Sequence, residues 1–346
     1  MKSEKGFMRC TRHWVAQWLH ATFVNLLRLT SQFSLLPLIV LFLFYSHSPL
    51  ASKVASYEYI YIVYAQGDDA RQKHYVETIE RIKELEPHIR IRLINKRTLS
   101  SALQRQLFTD GVECIIGLGE PTLRTLNGMT HKHKFDIVYG FINENPSQHA
   151  DYFGVSTVPS PKVIFNQLGV IDPSRKKVFV VYLKGRDDEL IADAQSAAKL
   201  QGISLVSLAS DSLSDMAVQF QTAIKNINIK EDALWLLSST KMDSAITNGI
   251  LAQAWERQIF VFSSDYRDVN RGVLFSLKPN YTKLGDRLSE QLNSLRFESK
   301  KHPYVSATQD VNVVVNSLTA EHLKIKFLDS QLDSYSFISL AADNAK

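Results

Sequence analysis

Short apolar runs of strong β preference alternate with segments of helical period from about residue 57 to residue 315. No other feature constrains the fold as much. The strand candidates are 59–64 (YIYIVY), 89–94, 112–117 (VECIIG), 135–139 (FDIVY), 178–182 (VFVVY), 204–208, 233–237 (ALWLL), 259–262 (IFVF), 273–276 and 311–315 (VNVVV). Most are near-continuous apolar stretches, the pattern of strands covered on both faces. Helical periods fall between them at 71–85, 99–107, 121–126, 161–168, 190–201, 214–227, 242–257 and 281–295. Repeated β-α units of this kind pair in parallel through right-handed crossovers, so the class is α/β. After Phe153-Gly154-Val155 comes a proline-containing turn and a helix, and Asp172-Pro173-Ser174 then leads into a fresh strand near Lys177. Two similar halves of about five strands predict two doubly wound parallel-sheet lobes. The carboxyl ends of their strands, where α/β ligands bind, face a central cleft.

Composition excludes several other classes. With 45% hydrophobic and 22% charged residues, 14 Gly and 2 Cys, the chain is neither disordered, collagen-like nor a disulfide scaffold. The formal net charge is +5, and its placement matters more than its size. Lys2, Lys5, Arg9, Arg12, Arg28 and Lys53 stand against the single Glu4 before residue 57, so the remainder is formally neutral. Phosphate neutralisation needs a basic surplus on the folded part, and nucleic acid is therefore not an expected partner.

Residues 34–45 (SLLPLIVLFLFY) form an apolar run of about a dozen residues, short of the ~20 that span a bilayer. Arg9, Arg12 and Arg28 precede it, and Leu50-Ala51-Ser52 and Val54-Ala55-Ser56 follow with small or aliphatic residues at cleavage-site positions. That layout predicts a signal peptide within 1–56, and delivery of the chain after about Tyr57 beyond the cytoplasmic membrane. The alternative is an uncleaved membrane anchor lengthened into Gln32 and Phe33. Cys10 lies in this segment and Cys114 stands alone in an apolar run, where a buried inert thiol is expected and no disulfide forms in the mature chain.

Catalytic signatures are missing: no GxSxG elbow, no phosphate-binding GxxxxGK[ST] loop, no HExxH and no paired CxxC. The segment 117–122 (GLGEPT) follows a strand and opens a helix, where free backbone N–H groups attract anions, but Glu120 opposes a phosphate and a tight turn lining a cleft is expected. His131-Lys132-His133 lies among lysines that repel cations and reads as a solvated loop. Asp68-Asp69 suits the N-terminus of the helix near Arg71, or a ligand ammonium. Asp187-Asp188-Glu189 reads as acidic first-turn residues complementing a helix dipole. Asp265-Tyr266 places a carboxylate and a ring at a strand's carboxyl end, and Tyr281, Phe141 and Asn143 occupy comparable positions. Together they suit a small amphipathic or amino-bearing solute.

Several stretches resemble one family. They are 114–121 (CIIGLGEP), Gly154-Val155-Ser156, the strand-helix-Gly202-strand unit of 178–208, and 259–292 (IFVFSSDYRDVNRGVLFSLKPNYTKLGDRLSEQL) with Gly272, Tyr281, Leu284 and Gly285. In these the chain, from about Tyr57 to Ile325, resembles the tryptophan/tyrosine-type periplasmic substrate-binding proteins of ABC transporters. The resemblance implies a type I periplasmic binding protein fold whose hinge joins a first lobe of 57–157 with 266–300 to a second of 158–265 with 301–328, and a tail at 329–346. It implies ligand-lining loops at Gln66 and Asp69; at Gly119, Glu120 and Thr122; at Phe141 and Asn143; at Ser239, Thr240 and Lys241; and at Ser264 and Asp265. The chain has Ser239-Thr240 where the family commonly has Asp-Asn, and Glu144-Asn145-Pro146 where an Asp-Pro is common.

The resemblance further implies a monomeric extracytoplasmic solute-binding protein of an ABC-type uptake system. It would act without catalysis, metal or cofactor, closing by hinge motion on an amino acid-like molecule and engaging a membrane permease. The alternative is a periplasmic sensor of the same fold regulating a membrane signalling protein. An extracytoplasmic Rossmann-type enzyme is a third reading, and no catalytic set recommends it.

Overall fold

A computed structural model describes residues 60–339 except 87, 96, 147–149, 239–243 and 298–301. The expected export segment therefore lies outside the described residues, as do Ser239, Thr240 and Lys241. The chain runs β1 (Ile60–Ala65), α1 (Asp69–Leu85), β2 (Ile89–Ile94), α2 (Ser100–Thr109), β3 (Cys114–Leu118), α3 (Glu120–Asn127), β4 (Asp136–Ile142) and β5 (Phe153–Pro159). It continues through α4 (Pro161–Ile171), β6 (Lys177–Leu183), α5 (Asp188–Leu200), β7 (Ser204–Ser210), α6 (Leu213–Asn226), β8 (Asp232–Leu236), α7 (Ser244–Glu256), β9 (Phe260–Ser263) and β10 (Phe275–Pro279). Then come α8 (Tyr281–Phe297), β11 (Val305–Thr308), β12 (Val311–Asn316), α9 (Ser317–His322), α10 (Asp329–Ser334) and β13 (Ser336–Ile338).

Two sheets result. The first has six strands in the order β11-β5-β4-β3-β1-β2, and the second has seven in the order β13-β12-β10-β9-β8-β6-β7. Every pairing is parallel except β10 with β12. The period-2 alternation of side chains sends neighbouring residues to opposite faces, and both faces are covered. In the first sheet Val63, Ile115 and Tyr139 pack with Leu103, Leu107 and Leu126 on one side. Ile62, Ile116 and Val138 pack with Ile79, Ile82, Leu284 and Leu288 on the other. The second sheet repeats the scheme, with Val180, Trp235 and Phe262 against Phe165 and Ile191 on one face. Val181, Leu234 and Val261 meet Phe220 and Ile250 on its opposite face. Cys114 is buried in the first core, as expected of an inert thiol.

The α/β class and doubly wound architecture agree with the sequence. The lobe boundaries do not. The chain passes between sheets three times, at Ser160, at Asn280 and at Gln309-Asp310. Residues 275–279 thus belong to the second sheet rather than the first, and 305–308 to the first rather than the second. Both are strands whose apolar content fits either sheet, so periodicity alone could not assign them. The sheets also hold six and seven strands rather than about five each, and 329–338 supply α10 and the edge strand β13 rather than a tail. The strand 89–94 departs as well: β2 is an edge strand with an exposed centre, its arginines alternating with Ile91 and Leu93.

The three crossings are tied to one another. Ser160 N donates to Thr308 O at 3.3 Å and Asn280 N to Asp310 O at 3.0 Å. Beyond the second crossing, α8 lies along α1, where Thr78 Oγ1 donates to Tyr281 O at 2.8 Å and Arg81 pairs with Asp286. The approach is close because Gly285 faces α1: a Cβ there would sit 3.0 Å from Thr78 O and from Arg81 Cβ. Gly285→Ala should push the two helices apart and lower stability by about 1 kcal/mol, because the arginine stem can shift but the carbonyl cannot. Denaturant unfolding of the two proteins checks this. Equal midpoints would show that the contact has slack.

Candidate functional site

The carboxyl ends of β1, β3 and β4 open on the same side of the first sheet. After β1, Asp68 caps α1 by accepting from Arg71 N at 2.8 Å, and Gln66 and Asp69 are solvent-exposed. After β3 the chain turns at Gly119, whose φ of +88° is open to glycine at little cost. Its N–H donates to Gly140 O at 2.8 Å. The following Glu120 is partly buried and accepts from Asn143 N at 3.2 Å, which joins the β3 and β4 loops. Thr122 is fully buried, its methyl against Gly117, and its hydroxyl has no hydrogen-bond partner among the described residues.

Phe141, at the end of β4, has a φ of +55°, a left-handed conformation that costs a non-glycine residue roughly 1–2 kcal/mol. It falls where the β4–β5 register shifts, between Tyr139 and Ile142, and this irregularity turns the ring out of the strand's alternation. The ring stacks on Tyr281 with centroids 5.1 Å apart and planes 3° from parallel. Tyr75 meets its edge at 4.7 Å, and Tyr64 meets Tyr75 at 5.6 Å. Tyr281 also stacks with His74, centroids 3.9 Å apart. A continuous run of five rings, Tyr64, Tyr75, Phe141, Tyr281 and His74, therefore lines this end of the first sheet. Burial and the Lys278 cation beside it hold His74 below the usual imidazole range, and burial and the neighbouring Tyr266 phenol push Tyr281 up. Both rings stay uncharged near neutrality.

The second sheet contributes from β9 and β10. Lys278, near the end of β10, places Nζ 5.7 Å from the ring centroids of both Tyr266 and Tyr281. Ser264 is nearly buried and its Oγ accepts from Trp235 Nε1 at 2.8 Å, so the hydroxyl supports the core of the second sheet. Asp265 caps the 3-10 turn of Tyr266–Arg271 and receives the Arg267 fork, including Nε at 2.9 Å and an ion pair from Nη2. Asp268, pushed up by burial, accepts from Ser263 Oγ at 2.7 Å and pairs with Arg271.

A hydrogen bond also joins loops of the two sheets. Asn145, in the loop after β4, donates through Nδ2 to Asp187 Oδ1 at 2.9 Å. Asp187 is fully buried and also accepts from Leu183 N at 3.0 Å and from Arg186 Nε at 3.2 Å. The reading of Asp187-Asp188-Glu189 as acidic first-turn residues holds for the last two, whereas Asp187 stands at the N-cap. Asp188 and Glu189 occupy the first turn, whereas the Asp187 carboxylate makes no capping bond and turns toward the other lobe.

Of the residues singled out from sequence, Gly119, Glu120, Phe141, Asn143 and Tyr281 come together, and Asp265 adjoins them through Tyr266. The side chains of Gln66 and Asp69 make no hydrogen bond among the described residues. His74, Tyr75, Tyr64 and Lys278 went unread in the sequence. Lys278 left a signal, a lone cation inside the apolar strand FSLKP, but Tyr75 and His74 look like any helix face one turn after a strand.

Two doubly wound, mostly parallel sheets joined by three crossings define a type I periplasmic binding protein-like fold, a class built to hold small solutes between lobes. The chain belongs to the ABC transporter substrate binding protein family, whose match spans residues 156–335. Among solved structures it is similar to the ligand-free, open form of a substrate binding protein with adhesive properties from Clostridium difficile. That likeness has a TM-score of 0.57 at 15% identity and covers 82% of this chain and 100% of the other. It is also similar to an ABC domain in complex with L-Trp from Streptococcus pneumonia, with a TM-score of 0.51 at 14% identity over 82% of this chain and 100% of that one. At such identities the likeness establishes the fold. No curated protein matches the chain.

Proposed function

We propose that the protein captures a small amino acid-like solute between its lobes, outside the cytoplasmic membrane, and presents the closed form to the permease of an ABC-type uptake system. One observation carries this reading: the five-ring run of the first lobe meets Lys278 and Tyr266 of the second beside the Asn280 crossing. A solute bound there touches both lobes at once. Such a solute stabilises the closed arrangement by its differential affinity for it, and no chemical step is required. The family membership supports a substrate-binding role, and the acidic and basic groups around the rings are paired with one another rather than arranged as nucleophile and base.

A thermal-unfolding screen against aromatic and branched amino acids, small peptides and nucleosides tests the reading. A true solute at 100 times its Kd should add ~2.7 kcal/mol of stability. Protection by none of them would remove the uptake reading in this form and leave the sensor alternative, in which the lobes report to a membrane signalling protein.

A further inference from the structure

The charges around the ring run are unevenly satisfied. Arg267 is answered by Asp265, Arg271 by Asp268, Arg81 and Lys283 by Asp286, and Arg287 by Asp310. The carboxylates are answered as well. Asp265 and Asp268 face arginines, Glu120 accepts the Asn143 N–H, and Glu77 accepts from Thr282 Oγ1 at 3.1 Å and lies 3.8 Å from His74 Nδ1. Lys278 differs. It is partly buried, its Nζ lies 5.7 Å from the centroids of two phenol rings, and among the described residues it has no ion pair. Ring faces alone attract an ammonium weakly, by roughly 0.5–2 kcal/mol, so a partly buried lysine without an ion pair favours an added anion.

We infer that Lys278 is a specificity-determining residue that selects a solute by its carboxylate, and that the site does not recognise an amine through a free acid. The inference rests on the cleft being the solute site, as proposed above, and names the chemistry of what enters it. Asp265, the acid best placed to receive an ammonium, is already held by the Arg267 fork on both of its oxygens. Lys278 sits at the seam where the second sheet passes into α8, so a carboxylate there lies beside Tyr281 of one lobe and Tyr266 of the other. The same counter-charge would then draw the lobes together. A lysine offers a point charge rather than the planar fork of an arginine, which suits a single carboxylate oxygen or a rotating carboxylate.

Three probes separate the charges on a common ring: 3-phenylpropionate (carboxylate only), phenethylamine (amine only) and L-phenylalanine (both). Binding is followed by calorimetry and thermal unfolding in wild type, Lys278→Met and Lys278→Arg. The expected result is binding of 3-phenylpropionate and L-phenylalanine but not phenethylamine. Lys278→Met should weaken both carboxylates by roughly 10- to 100-fold, the range for losing a hydrogen bond to a charged group, and Lys278→Arg should recover most of it. Methionine keeps an apolar stem against the rings, so the solute-free unfolding midpoint of that variant should match wild type. Binding of phenethylamine in preference to the acids, or undiminished acid binding by Lys278→Met, overturns the inference while leaving solute capture intact. Binding of no probe by wild type overturns the inference, and solute capture then stands or falls on the wider thermal-unfolding screen described above.

Discussion

Replacing Asn145 with alanine should shift the two lobes away from their joined arrangement by roughly 10- to 100-fold in equilibrium. A hydrogen bond to an ionised group contributes about 1.5–3 kcal/mol, and each 1.4 kcal/mol is a factor of ten. The Asn145–Asp187 bond is placed to express that value in full. The carboxylate it reaches is fully buried between the sheets, so water replaces the amide only when the lobes separate. Small-angle scattering should report a larger radius of gyration for the solute-free Asn145→Ala protein. Apparent solute affinity should fall in step once the joined form becomes the minority, since binding then must first repopulate it. Asp187→Asn should move both quantities in the same direction. Identical scattering and identical affinity in the two variants would show that the bond has no influence on the lobes.

Gly119→Ala should be more damaging still, by about 2–6 kcal/mol, and its cause can be split in two. The backbone there has φ +88°, and a side chain in such a region costs about 1–3 kcal/mol. The added Cβ would also lie 2.3 Å from the Tyr75 hydroxyl, and a clash of this size forces a shift costing a further 1–3 kcal/mol or so. Because the hydroxyl is the atom struck, and the ring carbon behind it is 3.4 Å away, Tyr75→Phe should relieve the second cost and leave the first. Chemical denaturation of both single variants and the double variant measures that relief as a coupling energy, expected at about 1 kcal/mol or more. A coupling near zero would mean that backbone strain accounts for the whole effect. Since Tyr75 meets the edge of Phe141, the Gly119→Ala protein should also lose solute affinity where Gly119→Ala/Tyr75→Phe regains part of it.

The strands of both cores were legible because burial on two faces leaves a continuous apolar signature: VFVVY and ALWLL became β6 and β8 within a residue or so of their predicted limits. Which sheet a strand joins was not legible, because that depends on where the chain crosses between lobes and not on its period. Residues 275–279 and 305–308 were misassigned for that reason. At the site, Gly119, Phe141 and Tyr281 could be read from their strand-end positions and family resemblance. Their partners could not. His74 and Tyr75 become special only once α8 is laid against α1, and Asp187 separates from its acidic neighbours only once Asn145 arrives from a different sheet. The left-handed backbone of Phe141 has no sequence signature at all, since a phenylalanine normally argues against it.

The threefold passage between sheets also governs the order in which the molecule can be completed. Leu284, Leu288 and Leu292 of α8 cover a face of the first sheet whose earliest strand is β1, more than 200 residues ahead of them. A nascent chain that has emerged only as far as Asn280 would leave Ile62, Ile116 and Val138 covered by α1 without α8, and neither lobe could be cut out as one contiguous piece. Such sequence-distant dependence slows folding, because the ends of a long loop must meet before their contacts reward it. Until residues 281–297 are in place, the face formed by β1, β3 and β4 therefore lacks part of its cover, and the first lobe cannot close its core without the segment that follows the second.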